Sequence, residues 1–281
     1  MAHPSYRATR ELTLGFLTLG AQAAPLEVLR AAHEAGFGAA GLRISGRNPG
    51  DAWPSVDGDP QAFANIAAEA ARRGVRISSI SGYYMSAHAQ PAHLQANVDA
   101  ARAVGAALIA QGCFDPDLER TARLLRDYAA AADAAGLRIA LEFMPMSTLR
   151  TVDEALQVIA RSGARNVGLL VDSLHLARSG AGARELAALD ASCIYLTQLC
   201  DAPAERASGV TLFDEAMAGR MYVGDGGLDL AGLVAALPPG AEIELETPVV
   251  ADASLPATER AARAAKKAEA FFANHFSAAA P

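Results

Sequence analysis

Cysteines, long apolar runs and clustered basic residues are all scarce in this chain of 281 residues. Only three cysteines occur, Cys113, Cys193 and Cys200, and none has CxxC spacing. This odd count argues against a disulfide framework or zinc knuckle and favours a reducing cytoplasm. No run of about 18 apolar residues is present, so no membrane span is expected. The net charge is −7, and the lack of a basic run or arginine stripe predicts no nucleic-acid partner.

The composition is that of a globular protein, since 52% of the residues are hydrophobic and 20% are charged. One segment, residues 10–25, has an arginine, a short apolar run and an A-x-A-like site, as a secretory signal would. Glu11 and the threonines make a poor signal core. We therefore interpret the segment as a first β-strand followed by a loop.

Short apolar runs alternate with amphipathic segments along the whole chain. Helices are predicted over residues 25–36, 59–74, 115–136, 151–163 and 256–276, with Pro25 and Gly36 as start and stop residues and Thr151 as an N-cap. Eight strands are predicted, at residues 12–17, 39–44, 75–81, 106–112, 138–144, 167–172, 193–199 and 242–247.

Continuous apolar strands separated by helices indicate parallel strands that are buried on both faces. Eight such units predict an α/β fold, a single (β/α)8 TIM barrel, as one domain over residues 1–281. A doubly wound sheet is the alternative, but no G-x-G-x-x-G follows the first strand. The longest connection, residues 200–227, is predicted to cover a substrate site.

Polar side chains follow each of the last four predicted strands. In a barrel of this type the carboxyl ends of the strands form the active-site rim, so these side chains are expected in one mouth. They are Glu142 after strand five, Asp172 and His175 after strand six, Gln198 and Asp201 after strand seven, and Glu244 and Glu246 at strand eight.

Three carboxylates in one dry site repel each other unless a cation compensates. A divalent metal is the simplest cation, and oxygen ligands favour Mg²⁺ or Mn²⁺ over structural zinc. Each residue has a simpler alternative when taken alone. A single carboxylate is more often a helix cap or ion-pair partner, and Asp201 before Ala-Pro is consistent with a turn cap. The combination favours the metal.

Four stretches make the chain resemble the xylose-isomerase-like TIM barrels, the sugar-phosphate isomerase/epimerase superfamily. These are "ALEFMP", "GLLVDSLHLARSG", "YLTQLCDAP" and "RMYVGDGGLDL", the last matching an R-x-x-x-G-x-G signature. The resemblance runs from "LTLGFLTLG" to "IELETP" and is more specific for the superfamily than for one activity.

The resemblance implies one divalent metal that is held by residues of strands five to eight. Glu246 rather than Glu244 is implied as the last ligand, because "ETP" matches the family pattern. His175 corresponds to the histidine of a D-x-x-H motif, and Arg220 to an arginine that holds substrate oxygens. The implied ligands are Glu142, Asp172, Gln198 and Glu246.

The chain departs from the family pattern in three places. Gln198 stands where histidine is commoner, which makes the ligand set harder and favours Mg²⁺ or Mn²⁺. Strand two ends in "GLRISGR" without the frequent glutamate, so Arg43 and Arg47 either bind an anionic substrate or lie on the surface. "FMPMSTLRT" lacks the sugar-gripping residues of the ketohexose epimerases.

Further pocket candidates follow strand three. Tyr83, Tyr84 and His88 either line the pocket or pack beneath a loop. Asp201 is expected to brace the mouth or bind a substrate hydroxyl.

The resemblance implies an isomerase or epimerase that transfers a proton next to a carbonyl through an enediolate. In this scheme Glu142 and Glu246 are bases, and His175 shuttles a proton or binds a hydroxyl. The alternative is a metal-dependent dehydratase or lyase, similar to dehydroshikimate dehydratases, that shares the first step and acts on a hydroxylated keto acid. A DNA-repair endonuclease is disfavoured, since only His88 and His175 of the six histidines follow a strand end. A non-catalytic metabolite-binding barrel is disfavoured by the intact carboxylates.

The substrate is expected to be a small sugar, polyol or hydroxy-ketone, whose identity the sequence leaves open. A homodimer is compatible with the resemblance, because dimers are common in the family.

Overall fold

Eight short parallel strands close into a barrel in the computed structural model, which describes residues 7–276 except 52 and 54. Each strand pairs with the next in the chain, and the eighth pairs with the first. The predicted (β/α)8 TIM barrel is therefore confirmed, and the doubly wound alternative is wrong. The strands are β1 Thr13–Gly15, β2 Ala39–Arg43, β3 Arg76–Ser81, β4 Leu108–Gln111, β5 Arg138–Glu142, β6 Val167–Asp172, β7 Ile194–Leu199 and β8 Ile243–Leu245.

The segment 10–25 contains the first strand, as predicted. Thr13 and Leu14 pair with Ala39 and Ala40 of β2, and the same two residues pair with β8 on the other side. A 3-10 helix, Phe16–Leu19, follows at once and shortens the strand relative to its predicted end.

Helices cover the outside of the barrel. The five helices predicted from the sequence correspond to α1, α2, α4, α5 and α10, and their ends differ from the predicted ends by at most three residues. The Thr151 side chain accepts a hydrogen bond from the Glu154 backbone N–H, as its N-cap position predicted. The helices are α1 Pro25–Glu34, α2 Pro60–Arg73, α3 Pro91–Val104, α4 Leu118–Ala134, α5 Val152–Ser162, α6 Ser173–Arg178, α7 Ala183–Ala187, α8 Leu212–Ala218, α9 Leu230–Ala236 and α10 Ala257–His275.

The connection after β7 contains more structure than the sequence suggested. Asp201 and Met221 pair in an antiparallel bridge, with backbone N···O distances of 3.0 and 2.7 Å. This bridge closes a loop that carries α8. Arg178 of α6 anchors α8 through a paired contact with Glu215, 2.9 and 2.8 Å between nitrogen and oxygen. The loop is thus held over the mouth of the barrel.

The main apolar core lies between the barrel strands and the surrounding helices, and a smaller cluster fills the barrel interior, including Leu108, Ala140, Leu170 and Leu196. Within the described residues, no helix has the length and apolar character needed to cross a bilayer. The single domain over 1–281 includes residues outside the described ranges and stays a prediction.

Candidate active site

The register of the sheet brings the predicted polar residues to one rim of the barrel. Asp172 at the end of β6 lies opposite Gln198 of β7, and Gln198 lies opposite Glu244 of β8. Glu142 ends β5, and Glu246 follows β8 directly. All of these positions are at carboxyl ends of parallel strands, which is where barrels of this type place their reactive groups.

Glu142, Asp172 and His175 form a compact cluster of potential metal ligands. One ligand atom from each lies within 4.8 Å of the other two. The short helix α6 produces this geometry, because Asp172 is its N-cap and accepts a hydrogen bond from the His175 backbone N–H at 3.0 Å. The turn carries the imidazole back toward β5, where Nε2 of His175 lies 3.8 Å from Oε1 of Glu142.

Arg220 joins the acidic groups from the loop above. Its Nη1 donates to Oδ2 of Asp172 at 2.6 Å, and its Nη2 lies 3.3 Å from Oε2 of Glu246. Nη2 also lies 3.4 Å from Nε2 of His175. Because a guanidinium only donates, this contact requires His175 Nε2 as acceptor and places the ring proton on Nδ1.

Gln198 presents an unusual buried oxygen. Its amide nitrogen donates to Oε1 of Glu244 at 2.7 Å and to Oε1 of Glu246 at 3.1 Å. Its carbonyl oxygen is buried and has no hydrogen-bond partner among the described residues. A buried acceptor without a donor is costly, and a cation at the rim would satisfy it.

The charges of this cluster fit a divalent metal ion. The three carboxylates of Glu142, Asp172 and Glu246 with the guanidinium of Arg220 leave two negative charges. Burial, followed by the charges of Glu246 and Asp172, raises the pKa of Glu142 well above its ordinary range. Burial likewise raises the pKa of Glu246 to about 7, although Arg220 lowers it. The carboxylates therefore need a cation to stay ionised together.

Asp172 and His175 are neighbours whose pKa values are both lowered, which leaves the aspartate charged and the imidazole neutral. Burial alone raises the pKa of Asp172, but the charge of Arg220 outweighs it and the net shift is downward. Burial lowers the pKa of His175 to about 4. At neutral pH this site therefore holds an ionised aspartate beside a neutral imidazole.

The two glutamates of strand eight have different surroundings. Glu246 lines the cavity at the rim, whereas Glu244 lies below it, inside the barrel, and is absent from the cavity lining. Glu244 accepts hydrogen bonds from Gln198 and from Ser79, the latter at 3.2 Å. A β-carbon on Gly41 would collide with the Glu244 carboxylate, so glycine at this position in β2 makes room for the buried acid.

Gly41→Ala is expected to lower the free energy of unfolding by about 2 kcal/mol, since overpacking a closed core costs about 1 to 3 kcal/mol. Urea denaturation measures the difference. Gly182→Ala is the matched control, because the nearest atom to an added β-carbon there lies 3.8 Å away. Equal stability of the two variants would show that the barrel interior adapts freely around Glu244.

The rim opens into one cavity, with about 630 Å³ of space counting the part open to solvent. Arg43 and Arg47 line it, together with Tyr84. The surface interpretation of Arg43 is wrong, because only 2% of this residue is exposed. The other lining groups are the predicted Glu142, His175, Gln198, Arg220 and Glu246, together with Ser81 and apolar side chains from strands, loops and α8.

Two predicted substrate-binding residues lie elsewhere. His88 is exposed, lies in the loop before α3 and does not line the cavity. Asp201 is buried, but its oxygens accept backbone N–H groups of Ala202, Gly224 and Leu228. These bonds hold the loop after β7, and Asp201 does not line the cavity.

Tyr83 also turns away from the cavity, since its hydroxyl donates to Asp57 Oδ2 at 3.0 Å. Sequence reasoning missed Phe213 and Met217, which line the cavity from α8. It also missed Trp53, which packs on Arg43. The apolar residues within the predicted loop 200–227, and the position of the chain's one tryptophan shortly after β2, were the available signals.

Curated relatives match part of this chain. A 3-dehydroshikimate dehydratase from Pseudomonas aeruginosa is 31% identical over 112 residues, which are 40% of this chain and 17% of the dehydratase. An inosose isomerase from Bacillus velezensis is 29% identical over 119 residues, 42% of this chain and 41% of the isomerase. The matches thus span less than half of either relative.

A solved structure described as the IOLI protein with a binding zinc atom has the same fold. It superposes with a TM-score of 0.78 at 18% identity and covers 95% of this chain and 99% of that chain. The family model of the xylose isomerase-like TIM barrel matches residues 29–272. With most of its length inside that match, this chain belongs to the xylose isomerase-like TIM barrel family.

Proposed function

We propose that this protein is a divalent-metal-dependent isomerase or epimerase that transfers a proton at the carbon next to a carbonyl of a sugar, polyol or hydroxy-ketone. The observation that carries the proposal is the cluster at the rim. Glu142, Glu246 and the partnerless amide oxygen of Gln198 line the cavity, and Asp172 is buried beside them in an ion pair with Arg220. These three carboxylates and the Arg220 guanidinium carry a net charge that a divalent ion would balance. The inosose isomerase among the relatives supports this reaction class.

Glu142, Asp172, Gln198 and Glu246 are the proposed metal ligands, and His175 is a further candidate because it lies within the same cluster. Four of these five residues offer oxygen, which favours Mn²⁺ or Mg²⁺. A bound divalent ion supplies Lewis-acid stabilisation of the negative charge that develops on the substrate carbonyl oxygen.

The remaining chemistry belongs to side chains of the chain itself. Glu142 and Glu246 reach the cavity from separate strands, β5 and the end of β8, so one removes the proton and the other returns it. His175, neutral at pH 7, hydrogen-bonds a substrate hydroxyl or passes a proton. Arg220, held by Asp172, orients substrate oxygens.

A dehydratase or lyase is the second candidate. It begins with the same proton removal, after which a β-hydroxyl leaves with its bonding electrons and is protonated to water. The 3-dehydroshikimate dehydratase among the relatives favours it, as do the two arginines on the cavity wall, which suit an acidic substrate.

Metal titration and proton exchange test the proposal together. The chelated protein is titrated with Mn²⁺, and bound ion is counted by electron paramagnetic resonance. Inosose and 3-dehydroshikimate are then incubated with the metal-loaded protein in D₂O and followed by NMR. Gln198→Ala and Glu246→Ala are each expected to weaken Mn²⁺ binding at least about tenfold.

The outcomes separate the candidates. Deuterium at the α-carbon with all hydroxyls kept supports the isomerase, and loss of a hydroxyl supports the lyase. Bound metal without exchange on any hydroxy-ketone would favour the non-catalytic barrel. No Mn²⁺ binding by the wild type would refute the proposed site.

The cysteines and the net charge bear on the setting of the protein. Cys113, Cys193 and Cys200 are all free thiols, which supports a reducing cytoplasm. The acidic net charge of −7 supports a small-molecule substrate over nucleic acid and disfavours a DNA-repair role. A homodimer is compatible with the family.

A further inference from the structure

Arg43 is a buried cation that lacks a full set of partners. Its Nε donates to the Ser45 carbonyl oxygen at 2.9 Å, but its Nη2 is buried and has no hydrogen-bond partner within the described part of the chain. A guanidinium that is 98% removed from solvent, with 2% exposed, normally has an anionic partner, because an unpaired buried charge is costly.

Three aromatic rings surround this guanidinium. Its central carbon lies 4.6 Å from the ring centre of Trp53, 5.3 Å from that of Phe16 and 5.6 Å from that of Tyr84. Cation–π contacts of this kind stabilise an arginine without neutralising it. The group is thus held rigidly while its charge stays available to a ligand.

Arg47 adds a second cation beside the first. Its central carbon lies 5.6 Å from the same Tyr84 ring and 6.0 Å from that of Phe213. Its Nε is also buried without a partner among the described residues, and its Nη2 lies 3.8 Å from the Met217 sulfur. Burial lowers the pKa of Arg43, and the charge of Arg47 lowers it further although Tyr84 raises it.

These arginines make no ion pair with the acidic cluster, but they share its cavity, and the charges of Glu246 and Glu142 oppose the larger effect of burial on the pKa of Arg43. No carboxylate of the described residues lies within 4.0 Å of either guanidinium. In the closed strand order, β2 stands across the barrel from β6, which carries Asp172. The cavity lining therefore has Glu142 and Glu246 beside Arg220, and Arg43 and Arg47 in addition.

We propose that Arg43 and Arg47 bind the carboxylate of an acidic, polyhydroxylated substrate, whose hydroxy-ketone end faces Glu142 and Glu246. This rests on the proposed function for the reacting end. The two partnerless donors, Nη2 of Arg43 and Nε of Arg47, match in number the two oxygens of a carboxylate. A neutral sugar would leave both cations unpaired, which disfavours it as a ligand.

Trp53 provides a direct readout, because it is the only tryptophan in the chain and lies on Arg43. Its fluorescence is titrated with shikimate, quinate and 2-ketogluconate, and with the uncharged methyl ester of each. At least one acid is expected to bind at least about tenfold more tightly than its ester. Inorganic phosphate, a further probe, is expected to bind more weakly than that acid.

Substitutions of the two arginines test whether they cause the preference for the acid over its ester. Arg43→Gln and Arg47→Gln are each expected to weaken binding of the acid at least about tenfold and to leave binding of the ester unchanged. Arg43→Lys is expected to restore part of the difference in affinity between acid and ester. Arg138→Gln is the matched control. Arg138 also stacks on a ring, 4.7 Å from the Tyr195 centre, but it lines a separate pocket at the other end of the barrel.

Each titration is run with Mg²⁺ and with chelator, which separates this proposal from the metal chemistry. Equal binding of acid and ester in all three pairs, or unchanged selectivity in both arginine variants, would overturn the carboxylate site whatever the metal result. Tighter binding of phosphate than of every acid would also overturn it. A selectivity that depends on Arg43 in a protein without metal binding would leave this proposal standing and refute only the metal-dependent function.

Discussion

Glu142→Gln is expected to slow α-proton exchange by a factor of about 10³ or more, since loss of a positioned general base costs about 10² to 10⁴ in rate. An amide keeps an oxygen for the metal but cannot take up the substrate proton. The exchange rate is measured by NMR in D₂O at saturating Mn²⁺, with Mn²⁺ affinity measured in parallel. The Mn²⁺ affinity of Glu142→Gln is expected to fall far less than its exchange rate.

Glu242→Gln is the matched control for this experiment. Glu242 lies just before β8, at the opposite end of the barrel, where it accepts from Arg76 at 2.8 Å. Its replacement is expected to leave the exchange rate within about twofold of the wild-type rate, because this residue is distant from the reacting groups. An unchanged rate in Glu142→Gln at full metal loading would remove Glu142 from the proton transfer and leave Glu246 as the only carboxylate base proposed.

The metal-free protein is expected to lose about 3 kcal/mol of stability between pH 6.5 and 8, with one pKa unit worth about 1.4 kcal/mol. Burial, followed by the charge of Glu246, raises the pKa of Glu244 from its ordinary 4.5 to about 8. Glu246, at about 7, is shifted in the same direction. The folded state therefore holds protons that the unfolded chain has released, so unfolding becomes easier as pH rises through this window.

His175 acts in the opposite direction and at lower pH. Its pKa is lowered from 6.5 to about 4, so the unfolded chain binds a proton that the folded chain rejects, and stability is lost as pH falls below 6.5. Above pH 6.5 this contribution is complete, and only the glutamates determine the slope. Urea denaturation at half-unit steps of pH, with chelator and with Mn²⁺, measures the profile.

Glu244→Gln is expected to remove about 2 kcal/mol of the loss between pH 6.5 and 8, because its share of the proton uptake disappears. Mn²⁺ is expected to flatten the remaining slope by keeping Glu142 and Glu246 ionised in the folded state. Glu242→Gln is the control, since the pKa of Glu242 is lowered and it does not titrate in this window. A flat metal-free profile would mean that water reaches the barrel interior and ionises Glu244 without penalty.

The barrel was predictable because its signals are local. Runs such as residues 138–144 and 167–172 are apolar enough to be buried on both faces, and helix signals such as Thr151 lie between them. The N-cap bond from Glu154 to Thr151 formed as expected. The loop 200–227 was less predictable, because α8 has only seven residues and depends on Arg178 and the bridge at Asp201 for its place.

The acidic rim was predictable because parallel strands end at one edge, so position in the strand was enough to bring Glu142, Asp172 and Glu246 together. The direction of a side chain beyond the strand end was not predictable. His88 and Asp201 follow strands in the same way as His175, but one reaches solvent and the other bonds to loop backbone. Nothing in their immediate neighbours distinguishes these outcomes.

The sequence by itself determined the fold and the approximate position of the site, since strand periodicity and strand-end chemistry depend on neighbouring residues. The tertiary structure decided which polar groups share the cavity. Glu244 lies inside the barrel because Gly41, two hundred residues earlier in the chain, leaves space for it. Arg43 faces the cavity because rings from three other segments hold it there. Such contacts join residues that are distant in the chain, so they exist only once the barrel has closed.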